Sequence, residues 1–127
     1  MKSTQLPVNE YASFYAPYIN ALGEVDLIEE LEIALHDFIR FVQNIPMDKF
    51  DYRYAEGKWD IKEIIQHVID TERIFAYRAL RISRNDKTPL PGFEENEYIE
   101  NTAANKRSIQ DLLTEFSAVR HSNLFLF

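Results

Sequence analysis

Along most of the chain the apolar residues recur at intervals of three and four, and no segment alternates with period two for long. That recurrence predicts amphipathic helices, whose side chains return to one face about every 3.6 residues. In the stretch after Asp26, the residues Leu27, Leu31, Ala34, Leu35, Phe38, Phe41, Val42 and Ile45 share a face. Asp26 with Glu29 three positions on reads as a capping box, and Pro46 stops the helix. A longer helix is predicted from Trp59 to between Ser83 and Asn85. Its start is marked twice: Asp60 and Glu63 form a second capping box, and Trp59 and Ile64 occupy the positions of a hydrophobic staple. The apolar arc expected here comprises Ile61, Ile64, Ile65, Val68, Phe75, Ala76, Ala79 and Ile82. A last helix begins between Thr102 and Ser108, with Ile109, Leu112, Leu113, Phe116 and Val119 inward. A short first helix over residues 9–22 has Asn9 as its cap, Pro17 as a break or bend and Gly23 as its end. Residues 85–105 carry two prolines and a glycine and predict a long excursion across one end of a bundle.

The polar residues on these faces refine the picture. On the longest helix Glu72 falls near the centre of the apolar arc, and on the last helix Arg120 does the same. A carboxylate or guanidinium isolated in a core is costly, so the two are expected to pair across the helices. His67 lies at the flank of the arc, one turn after Glu63. Spacing alone leaves two readings open: a boundary histidine bonded to a neighbouring helix, or a metal ligand sharing an ion with Glu63. His36 points away from its helix's apolar face and reads as a surface residue. His121 stands alone on the last helix, off the centre of its arc.

Composition narrows the classes of function. The length, 127 residues, suits one domain spanning residues 1–127, and 46% hydrophobic residues suffice for a core. There is no cysteine, which removes disulfides, thiolate metal ligands and cysteine nucleophiles. A net charge of −7 argues against a nucleic-acid binder working by phosphate neutralisation. No apolar run has the length of a membrane span, and the first residues lack a signal-peptide core, so the cytoplasm is the expected location. Glycine-rich phosphate loops, H-E-x-x-H and serine elbows are absent. The end at "HSNLFLF" has neither cap nor polar tail, and a helix finishing on Leu124, Phe125, Leu126 and Phe127 is expected to be one that lacks its covering partner.

The run "KWDIKEIIQHVIDTER", Lys58 to Arg73, with its flanks "YRYAEG" and "NKRSIQDLLTEFSAVRHSNLFLF", resembles the DinB-like superfamily, which includes bacillithiol- and mycothiol-dependent transferases. The similarity covers most of the chain from about Tyr11 onward. It implies an all-α, up-down helical bundle: three main helices plus a short N-terminal helix, with the fourth bundle helix absent. The resemblance also implies a divalent metal, zinc or nickel, held by one histidine of the second bundle helix and an H-x-x-x-H pair on the fourth. His67 matches the first of these ligands; the pair has no counterpart here. The function implied is that of a metal-dependent transferase or hydrolase acting on a small thiol or an electrophile. With an incomplete ligand set, little activity is expected of these residues alone, and residues 89–98 are expected to help form the pocket. An apolar groove left by a missing helix favours closure by a partner chain, at about 25 cal/mol per Å² buried, so a homodimer or higher oligomer is expected. The alternative is a non-catalytic, self-associating helical domain in which His67 is a packing residue.

Overall fold

The computed structural model describes residues Met1–Phe127. Five α-helices and short 3-10 turns make up the regular structure, with no strand, as the all-α reading requires. The chain divides into two compact units, Met1–Phe38 and Ile39–Phe127.

In the first unit, helix α1 spans only Ala16–Ala21, preceded by a 3-10 turn at Ser13–Tyr15. The helix expected over residues 9–22 is therefore shorter, and Asn9 does not cap it. Pro17 is the reason. Its ring would clash with the carbonyl four residues back, so proline is tolerated only in a helix's first turn, where it sits here. Gly23, with φ of 67°, follows the helix in the left-handed conformation and donates to the Asn20 carbonyl at 3.3 Å. Helix α2, Leu27–Gln43, starts at Asp26, whose Oδ1 accepts from the Ile28 N–H at 3.1 Å. The N-terminal amine reaches Asp26 Oδ2 at 2.9 Å. That bond and the Glu29 N–H hold the carboxyl below its ordinary pKa. Leu35 is buried, while His36 is exposed as expected; the end of α2, where Val42 is buried, belongs to the second unit.

The second unit is organised by helix α3, Ile61–Ser83, against helix α5, Ile109–Leu124. Ile65 and Ile69 of α3 and Leu112 and Phe116 of α5 are fully buried. Polar contacts set the direction of the pair. Lys62 Nζ reaches the Asn105 carbonyl at 3.3 Å, Arg107 Nη1 donates to Gln66 Oε1 at 2.7 Å, and Arg73 Nη2 donates to Glu115 Oε1 at 2.7 Å. Positions rise together, so α3 and α5 run in the same sense, and strict up-down alternation does not extend to this pair. The connection from Arg84 to Ser108 makes this possible, because the chain must return along a helix about 34 Å long before it can start again. Within that connection lies helix α4, Glu95–Glu100, with Ile99 buried, and a 3-10 turn at Ala104–Lys106.

The ends of α3 follow the local rules. No glycine ends it. Asn85 adopts φ of 58° and supplies the left-handed position, its N–H donating to the Ile82 carbonyl at 2.9 Å and the Asp86 N–H to Arg81 at 3.0 Å, the two bonds of a Schellman motif. The covered face differs from the expected arc. Ile65, Gln66 and Ile69 are buried, whereas Ile64, Phe75 and Ile82 are 42%, 56% and 68% exposed. Periodicity identifies an apolar face; which part of it is covered depends on where α5 and α4 pack. No helix is long and apolar enough to cross a membrane.

Candidate functional site

The capping box that starts α3 is fully formed. Asp60 Oδ1 accepts from the Glu63 N–H at 2.8 Å, and Glu63 Oε2 accepts from the Asp60 N–H at 2.8 Å. Arg53 ties the preceding loop to this box. Its Nη1 lies 2.8 Å from Glu63 Oε2, its Nη2 lies 3.3 Å from Asp60 Oδ2, and it also donates to the Lys58 carbonyl. The Glu63 carboxylate, then the Asp60 charge, raises the Arg53 pKa above its ordinary value. The loop is thereby held so that Trp59 reaches beyond Ile64 to the next turn of α3.

There it meets His67. The indole and imidazole centroids are 4.8 Å apart at an interplanar angle of 44°. His67 Nδ1 lies 3.5 Å from Thr71 Oγ1, one turn further on, at the outer limit of a hydrogen bond. His67 is half-buried, and no protein group bonds its Nε2. If Nδ1 carries the proton and donates to Thr71, Nε2 presents a lone pair, the arrangement by which an outer partner prepares an imidazole for a ligand. Beside Trp59 lies an open cavity of about 800 Å³, bounded by Arg53, Tyr54, Glu63 and Ile64 and, across it, by Asn96 and Glu100 of α4. Of residues 89–98, expected to help form the pocket, only Asn96 borders this cavity, and His67 does not line it.

The structure does not bring a complete metal-ligand set to His67. No group of three His, Asp or Glu side chains could hold an ion. Glu63, the i,i+4 candidate, is committed to Asp60 and Arg53. His121 is exposed on α5, its Nδ1–H donating to the Ser117 carbonyl at 2.8 Å. A single imidazole is not a divalent-metal site, so the residues present do not by themselves fit the zinc or nickel centre that the resemblance implies.

The pairing expected between the two bundle helices is present. Arg120 Nε and Nη2 donate to Glu72 Oε1 and Oε2 at 2.7 and 3.0 Å, and Asn123 Nδ2 adds a third bond at 3.2 Å. The Arg120 guanidinium also lies 5.3 Å from the Phe116 ring centroid. Sequence reasoning missed a second clasp, in which Arg107 gathers Gln66, Asp111 and Glu115. Burial pushes the Glu115 carboxyl up, but bonds from Arg73 and Arg107 outweigh it and leave the pKa lowered. The missed signal was Arg107 itself, at N′ of α5, within reach of its own first turn.

The family model of the DinB superfamily matches residues 30–124, and the chain belongs to that superfamily. A protein of Oceanobacillus iheyensis is 24% identical over 76% of this chain and 47% of its own length. One of Bacillus mycoides is 20% identical over 79% and 57%, and one of Bacillus cereus is 22% identical over 58% and 42%. All three bear the name "Putative metal-dependent hydrolase". The chain spans about half the length of the curated relatives it matches. No solved structure matches it.

Proposed function

We propose that this chain is part of a metal-dependent hydrolase or transferase of the DinB type, acting on a small electrophilic or thiol substrate, in which His67 supplies one ligand to a zinc or nickel ion. The observation that carries the reading is the unbonded Nε2 of a half-buried imidazole whose ring is packed by Trp59 and approached at Nδ1 by Thr71. The names of the relatives favour hydrolysis over transfer. The remaining ligands come from outside this side-chain set, since Glu63 is occupied and His121 lies on another face. Titration of the chain with zinc and with nickel, beside His67→Ala, tests this. With one imidazole and no co-ligand, binding weaker than about micromolar but sensitive to His67→Ala is expected. Metal binding that is unchanged in a folded His67→Ala protein refutes the role given to His67.

A second reading rests on the stripe Ile64, Phe75 and Ile82, which shares one face of α3 and is solvent-exposed. Here the domain is non-catalytic and self-associates, a second copy covering that stripe. Light scattering separates the readings: a monomer at micromolar concentration that binds metal excludes the second, and a dimer without metal binding excludes the first.

A further inference from the structure

A second cavity, two turns or about 10 Å along α3 from His67, has a different chemical character. It encloses about 280 Å³ between Arg73, Ile74, Tyr77 and Arg78 on α3 and residues 90–93 with Tyr98 opposite. The walls are aromatic: Phe93 and Tyr98 pack with centroids 5.3 Å apart. Arg78 is the distinctive residue. Its guanidinium sits 5.7 Å from the Phe75 centroid and 5.7 Å from the Phe93 centroid. Its Nη2 donates to the Pro91 carbonyl at 3.0 Å, which pins the "PLPGF" segment to the helix. The other arginines of this helix are charge-compensated, Arg73 by Glu115 and Arg81 by Asp86. Arg78 faces no carboxylate, and its remaining N–H groups are left for a ligand.

A guanidinium held between aromatic rings, uncompensated and beside an apolar cavity, suits a flat apolar body bearing a single anionic group. The adjoining cavity limits the charge. It shares Arg73, Ile74 and Tyr98 but also presents Asp70 and Glu97, which would repel a second carboxylate. We propose that this cavity binds a small aromatic monocarboxylate, its carboxylate on Arg78 and its ring against the apolar wall that Phe93, Tyr98 and Tyr77 form. The site does not involve His67 and is independent of the metal reading.

Phenylacetate and its neutral isostere phenylacetamide are the probes, with binding to the whole chain followed by shifts of the aromatic proton resonances. Phenylacetate is expected to bind with Kd of about millimolar or tighter and at least about tenfold tighter than the amide. In Arg78→Gln, which keeps a donor for the Pro91 carbonyl, the two ligands become equal. His67→Ala binds phenylacetate as the wild type does. Equal affinity of the two ligands for the wild-type protein overturns the proposal, as does binding of neither. Loss of phenylacetate binding in a folded His67→Ala protein overturns the placement. Comparing two ligands on the wild-type chain keeps the test decisive even if Arg78→Gln fails to fold.

Discussion

Replacing Arg120 by methionine strands a carboxylate in the helix interface. Glu72 and Arg120 have side chains only 15% and 12% exposed and are joined by two bonds of 2.7 and 3.0 Å. Breaking a buried pair from one side costs about 3–5 kcal/mol, because the remaining charge is desolvated without compensation. Two features put this case at the lower end: residual exposure, and the Asn123 amide, which stays 3.2 Å from Glu72 Oε1. The expected loss is about 3 kcal/mol, which lowers the melting temperature by about 10 °C for a chain of this size. Changing both residues, Glu72→Met with Arg120→Met, removes the stranded charge and should recover most of that loss, since apolar replacements of buried pairs are often neutral. Urea unfolding followed by helical circular dichroism, on the wild type, both single variants and the double variant, closes the cycle. A loss below about 0.5 kcal/mol in Arg120→Met, or strictly additive single effects, would show that the pair does not hold α3 to α5.

Asp60→Ala removes a cap that is 2% exposed and leaves the Glu63 N–H without its acceptor; a loss of about 2 kcal/mol, with a changed Trp59 emission as its loop loosens, is expected in a fluorescence-monitored melt. Asp86 gives a pH test. The Arg81 guanidinium, then the Thr88 N–H, holds its carboxyl well below the ordinary range. Its contribution is therefore fully present above the unfolded pKa of about 3.9 and is lost as pH falls through the folded value. The gap in melting temperature between wild type and Asp86→Asn should be constant near neutrality and narrow only below about pH 4; a gap that closes between about pH 7 and 5 would contradict the pairing. Thr71→Val removes the partner of His67 Nδ1, and weaker zinc binding by about tenfold, with the melting curve unchanged, is expected if that contact orients the ring.

Local chemistry was legible in the sequence because it depends on near neighbours. The Asp60–Glu63 box, the end of α3 at residues 83–85 and the need of Glu72 for Arg120 all follow from spacing and the cost of burying charge. The membership in the DinB superfamily was also carried there, in the run around His67. Pro17 was legible too, but its consequence was read as a break or bend within the helix rather than as the first turn of a shorter one.

What the chain's order along the sequence could not say is which faces meet. An apolar arc is a property of one helix, whereas burial is a property of its neighbours; hence Ile64, Phe75 and Ile82 lie on an apolar face and stay exposed, while Gln66, polar by composition, is buried under Arg107. The parallel course of α3 and α5, the placing of Trp59 on His67 and the cage around Arg78 each join residues through contacts that no periodicity encodes. The sequence by itself determined the three main helices, the capping box of α3 and the histidine on offer. Only the tertiary structure decided that Glu63 is spent on Arg53 and Asp60, leaving His67 a single donor, because a side chain's partners are set by where the packed helices bring them.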